Sequence, residues 1–180
     1  AADLLAQAEH GEDSPVVLVT DDGAVADAVL DEVERMLAGL ERSPVILRAL
    51  ADHGLVVVAP NLDEAIRFAD EFAAEHLSIQ LADAAEAADR ISGAGSVFVG
   101  PWAPEPVGDY ASGANHVLPT GGLAASLGPL ATEDFGSWRQ VQTLTRDGLT
   151  ALRPTVAALA AAEGLTAHLA AVEVRFEEGS

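Results

Sequence analysis

"GLVVVAPNLDEAIRFADEFAAEHLSIQ", residues 54–80, is the stretch whose reading decides the fold. It opens on a short β-branched run, Gly54–Pro60, which suits a pleated strand. Asn61 then stands where a helix N-cap belongs, and the residues after it carry helical spacing as far as His76. A second apolar run, "LSIQ", follows at once. Strand, helix and strand in so short a length is the signature of a βαβ unit, and hence of parallel pairing.

The same rhythm extends in both directions. Upstream, "PVVLVT" (Pro15–Thr20) precedes "DDGAVADAVLDEVERMLAGL", helical in spacing with acids early; downstream, "DAAEAADRIS" leads to "GSVFVG" (Gly95–Gly100). The chain is therefore expected to be α/β with a parallel sheet, its ligands gathered outside the carboxyl ends of the strands. "GDYASGANHVLPT" (Gly108–Thr120) leaves the last of these strands and is expected to be an exposed loop, not a helix face. From Gly121 to Ser137 the pattern decays into Gly, Ser and Pro, a long loop with a short helical turn. "RPTVAALAAAEGLTAHLAAVEVRF" then reads as helix broken at Gly164, followed by a short terminal strand. Residues 1–125 thus form the α/β part and residues 126–180 a loop and helical arm, with too little core to stand alone.

Composition narrows the function. Of 180 residues, 49% are apolar, so a core can be buried, and there is no cysteine for a disulfide or a thiolate metal site. The 29 acids face 9 bases, all of them Arg, for a net charge of −20. A field of that sign repels phosphate backbones and anionic lipids, so neither nucleic acid nor membrane is an expected partner. Lacking lysine, the chain has no Schiff-base nucleophile and no P-loop. No apolar run reaches the length of a membrane span and the start has no basic leader, so a cytoplasmic protein is expected. "SGAGS" (Ser92–Ser96) follows a helix and precedes a strand, the reverse of a dinucleotide loop, and "PTGGLAASLGP" follows no strand.

Five histidines are available: His10, His53, His76, His116 and His168. Gln7 and His10 stand three apart on a helix, one face of a metal half-site, though most such pairs are solvated surface. Glu75 and His76 are adjacent, and an acid beside an imidazole can divide proton-transfer work. The plainer alternative is a cation favoured at a helix C-terminus. Asp109 and His116 could reach a common ligand from the loop. Glu163 and His168 bracket the break at Gly164.

Together, "DLLAQAEHG", "AAEHLSI", "GDYASGANHVLPT" and "AAAEGLTAH" resemble histidinol dehydrogenases, in the order and approximate spacing of that family. The resemblance spans nearly the whole chain but matches only the C-terminal portion of the usual enzyme. It implies a Rossmann-like parallel sheet, here a partial domain, with a helical C-terminal arm. It also implies a zinc-dependent homodimer that oxidises L-histidinol to L-histidine through the aldehyde, with NAD as acceptor. By the same resemblance Gln7, His10, Asp109 and His168 are zinc ligands, the last reaching across the dimer interface, and the bound substrate completes the shell. Glu75 and His76 are the acid–base pair; His116, Tyr110 and Glu163 contact substrate. The NAD site falls outside this chain, and a missing N-terminal segment is an implied partner. Two rival readings are a non-catalytic zinc-binding half-domain and a zinc hydrolase using Glu75. His53 lies outside the motifs and is expected to be structural.

Overall fold

The computed structural model describes residues 1–177, which fall into two compact units, Ala1–Gly136 and Ser137 onward. In the first unit α1 (Ala2–Glu9) precedes β1 (Val16–Thr20), α2 (Gly23–Leu37), α3 (Ser43–His53) and β2 (Gly54–Val58). Next come α4 (Leu62–Phe72), β3 (His76–Ile79), α5 (Ala84–Ala88), β4 (Ser96–Val99) and α6 (Glu105–Tyr110). Among the described residues all strand pairing is parallel, as the βαβ rhythm requires. It takes the form of two separate pairs: β1 with β2, from Val16↔Gly54 to Thr20↔Val58, and β3 with β4, from His76↔Ser96 to Ile79↔Val99.

Local chemistry accounts for the helix boundaries. The Asp22 carboxylate accepts the Ala24 N–H at 2.8 Å and opens α2; the Asn61 side chain accepts the Glu64 N–H at 3.0 Å and opens α4. α4 ends at Ala73, which takes a left-handed conformation with φ of 53°. That backbone costs a non-glycine residue about 1–2 kcal/mol, and it turns the chain into β3 immediately before Glu75 and His76. α3, which strand-and-helix alternation does not announce, begins with Pro44 in its first turn, where a missing N–H costs nothing.

Two cores hold the unit. Leu5 and Ala8 of α1 bury with Val16, Val33, Ile46 and Ala49, which fixes α1 against α2, α3 and β1. Ile66, Ile79, Ala84 and Ala87 form the second, around β3 and α5. The loop before β4 is tied down by Asp70, whose carboxylate accepts the Ser92 and Gly93 N–H groups at 2.6 and 2.8 Å. These contacts hold the Asp70 carboxyl below the usual carboxylate range. The "SGAGS" amides thus already serve an internal anion.

Two expectations need correction. Asp109 and Tyr110 are not in a loop: they close α6, whose start at Pro104–Glu105–Pro106 is suited to a helix N-terminus. The loop expected from Gly108 begins only at Ala111. The expected terminal strand is also absent, since Val174–Phe176 continues α8 (Thr166–Glu173) as a 3₁₀ turn. Arg153 of α7 (Arg146–Glu163) accounts for this, pairing through Nε with Glu173 at 2.8 Å and covering the Phe176 ring at 4.7 Å. Gly164, with φ of 71°, makes the break between α7 and α8, and Ala160 is the only buried residue among those described in this unit. The stretch from Gly121 to Ser137 carries two short 3₁₀ turns, Leu123–Ala125 and Thr132–Phe135.

Candidate metal and acid–base site

Three elements far apart in sequence converge in the first unit: the C-terminal end of α1, the first residue of β3, and α6. Burial of Leu5 and Ala8 turns the adjoining face of α1 outward, so Gln7 and His10 point toward β3 and α6. His76 Nδ1 lies 3.3 Å from Gln7 Oε1, and its ring stacks on that of His10 with centroids 6.0 Å apart. Behind it stands Phe98 of β4, also with its ring centroid at 6.0 Å. Gly108 permits the approach of α6, for a Cβ there would lie 2.7 Å from Phe98 Cε1.

α6 presents Glu105 and Asp109, four apart and therefore on one face, to His10 and His76. His10 Nε2 is 3.7 Å from both Glu105 Oε1 and Asp109 Oδ2, while His76 Nε2 is 3.9 Å from Asp109 Oδ1. His10 Nδ1 faces its own helix, 3.3 Å from the Gln7 carbonyl oxygen. A donor hydrogen there leaves Nε2 with its lone pair aimed at the carboxylates, the usual arrangement of a metal-ligating imidazole. A cleft of about 210 Å³ opens beside the cluster, with Glu9, Arg42 and Tyr110 on its walls.

The electrostatics follow from burial. The His76 side chain is 11% exposed, and desolvation holds its pKa below the ordinary histidine value, against the opposing pull of Glu75 and Asp109. His76 therefore stays a neutral base to lower pH than a free imidazole. Glu105, 4% exposed, is pushed up to about 7, by burial first and then by the facing Asp109 carboxylate. His76 Nε2 and both Glu105 oxygens are buried without a hydrogen-bond partner. Buried polar atoms without partners are costly, and three of them around one group of nitrogen and oxygen donors fit a cation. His10, Glu105 and Asp109 offer donors all within 4.8 Å of one another. This donor set suits zinc where thiolates are lacking.

The structure thus gathers Gln7, His10, His76 and Asp109, with Glu75 next to His76 in the chain. Tyr110 is 87% exposed at the end of α6, and His116 is exposed in the loop beyond. That loop is pinned by Asn115, which accepts the Val117 N–H at 2.9 Å and donates to the Leu130 carbonyl. Glu163 ends α7 and His168 lies in the first turn of α8, both in the second unit. His53 closes α3 on the surface. Sequence reading missed Glu105. Its signal was the i,i+4 spacing to Asp109 in "EPVGDY", hidden because six residues with prolines at and just after their start show no helical periodicity.

The histidinol dehydrogenase family model matches residues 1–176. The chain belongs to the histidinol dehydrogenase family. The histidinol dehydrogenase of Halobacterium salinarum is 52% identical over 179 residues, 99% of this chain and 42% of that relative. The Vibrio cholerae enzyme is 47% identical over 178 residues, covering 99% of this chain and 41% of its own length. The crystal structure of histidinol dehydrogenase from Elizabethkingia anophelis superposes with a TM-score of 0.89 at 38% identity, over 97% of this chain and 40% of that one. The chain therefore spans about two fifths of the length of the histidinol dehydrogenases it matches. Among the described residues no helix is long and apolar enough to cross a membrane.

Proposed function

We propose that the protein containing this chain is a cytoplasmic, homodimeric histidinol dehydrogenase. It carries out the two-step, NAD-linked oxidation of L-histidinol to L-histidine through the aldehyde, and this chain supplies the metal-binding and acid–base residues. Membership in the family supports the reaction. The observation that carries the site assignment is the placement of His76, a largely buried neutral imidazole with Nδ1 toward Gln7 and Nε2 unpartnered beside Asp109.

In this reading Gln7, His10 and Asp109 hold a zinc ion, and His168 of a second copy of the chain supplies a further ligand. When bound, zinc would orient the substrate and neutralise charge. His76 accepts the hydroxyl proton at Nε2 as the alcohol carbon is oxidised. Glu75, the neighbouring carboxylate, draws a proton from the water that adds to the aldehyde, and His76 accepts the hydroxyl proton of the resulting hydrate in the second oxidation. His116, Tyr110 and Glu163 contact the substrate's polar ends.

No dinucleotide cradle fits the described residues. The turn from β1 into α2 carries Asp21 and Asp22, and the Asp22 carboxylate already occupies the helix N-terminus where a pyrophosphate would lie. The NAD site is accordingly assigned to the part of the enzyme outside these residues.

The test is turnover of L-histidinol by the full-length protein, wild type against His76→Asn and Glu75→Gln. Loss of a positioned base lowers kcat by about 100- to 10,000-fold. Full activity in His76→Asn removes that residue from the mechanism, and a wild-type protein inert toward histidinol overturns the assignment as a whole.

A further inference from the structure

Glu105 has no part in the mechanism above, yet it is the only buried charged residue among those described. Neither carboxylate oxygen has a hydrogen-bond partner. A carboxylate buried there without a compensating partner costs several kcal/mol, a cost that only a partner or protonation relieves. α6 is anchored by Gly108 against Phe98, and on the adjoining face Glu105 and Asp109 stand toward His10 at the end of α1.

What faces Glu105 is a set of donors. His10 Nε2 stands 3.7 Å from Glu105 Oε1 and the same distance from Asp109 Oδ2. These separations exceed hydrogen-bonding distance. They fit two donors sharing one ion, since ligands about 2.1 Å from a tetrahedral or wider metal centre stand about 3.4–3.7 Å from each other. With Nδ1 of His10 turned to the Gln7 carbonyl, the Nε2 lone pair is directed between the two carboxylates.

We propose that Glu105 is a further ligand to the divalent metal held by His10 and Asp109, its carboxylate completing the donor set that this unit presents. The proposal rests on the metal reading of the site and adds a residue to it. Two carboxylates balance the charge of a divalent cation, with Gln7 and His10 contributing neutral donors. The nitrogen and oxygen donor set also admits cobalt in place of zinc, which gives the site a visible spectrum.

Metal competition titrations on the full-length protein test this, using zinc and a chromogenic chelator, together with the visible spectrum of the cobalt-substituted form. Glu105→Leu removes the donor while filling the buried space with apolar volume. It should weaken zinc by at least about 10-fold, the smallest loss expected even for a group outside the metal's own ligands, and should alter the cobalt ligand-field bands. Unchanged affinity overturns the proposal. A weaker affinity with unchanged cobalt bands also overturns it, placing the carboxylate outside the metal shell. If Glu105→Leu does not fold, Glu105→Asp, which keeps the charge and draws the oxygens back by one methylene, is read by the same two criteria. His10→Ala and Asp109→Asn are measured in parallel; wild-type affinity in both means that the metal reading itself fails.

Discussion

His76 Nδ1 lies 3.3 Å from Gln7 Oε1, a contact between residues 69 positions apart. The amide oxygen can only accept, so the imidazole must carry its hydrogen on Nδ1, leaving the Nε2 lone pair free toward Asp109. Nitrogen-detected NMR of the protein should show the Nδ1–H tautomer for His76. In Gln7→Ala the tautomer should shift toward a mixture, with lower turnover. A His76 signal already dominated by Nε2–H in the wild type would contradict the orientation, and with it the role of Nε2 as base.

Burial of His76 sets the pH range in which it can act. Its folded-state pKa lies below the ordinary histidine value of about 6.5. The base is therefore unprotonated at neutral pH, and activity should fall only as pH drops below 6.5. The acid limb of the kcat/KM profile of the full-length enzyme reads this directly. A midpoint above 7 would assign that limb to another group.

Packing behind His76 is equally specific. A Cβ at Gly108 would come within 2.7 and 2.8 Å of the Phe98 ring, which in turn backs onto His76. Gly108→Ala should lower stability by about 1–3 kcal/mol through overpacking and reduce turnover by shifting the ring. Combining it with Phe98→Leu, which makes room, should recover part of both. Strictly additive losses in melting temperature and kcat would show that the two sites are not coupled.

Asp70 gives a stability effect of known sign. Its carboxyl is held below the usual range, chiefly by the Ser92 and Gly93 amides. The stabilisation it provides is therefore complete above the unfolded carboxylate pKa, about 3.9, and disappears as pH falls through the lower folded value. Asp70→Asn should cost about 1 kcal/mol at neutral pH, modest because the carboxylate is partly solvent-exposed. The difference should vanish in acid, as followed by thermal unfolding. A deficit that persists at pH 2 would point to shape in place of charge.

Much of this architecture is written in local chemistry, which explains what sequence reading reached. Asn61 before a periodic run announces α4, and the β-branched runs at Val16–Thr20 and Gly54–Val58 announce β1 and β2. Spacing alone put Gln7 and His10 on one side of a helix. It could not bring them to His76, because that meeting depends on α1 docking through Leu5 and Ala8 onto Val16 and Ile46. Only the joint pattern of four motifs carried that information. α6 stayed hidden since six residues contain less than two turns, and with it the burial of Glu105. The division of the strands into two pairs is likewise a matter of long-range contact, to which runs of apolar residues are blind.

The pairing of β3 with β4 bears on how this family can vary over evolutionary time. His76 sits opposite Ser96, and the adjoining backbone is tied by the Gly95 N–H to the Ala74 carbonyl and the Ser96 N–H to the Glu75 carbonyl, at 2.9 and 2.8 Å. Side chains alternate faces along a strand, so a slip of one residue in β4 would turn Phe98, the ring behind His76, to the opposite side. Surface connections generally absorb insertions and deletions with ease. The short span between Asp89 and Gly95 should not, since its length sets the β4 register that keeps Phe98 behind the imidazole. Indels in natural homologues should therefore be rare here and gather instead in stretches such as residues 137–145, where no strand register depends on the count.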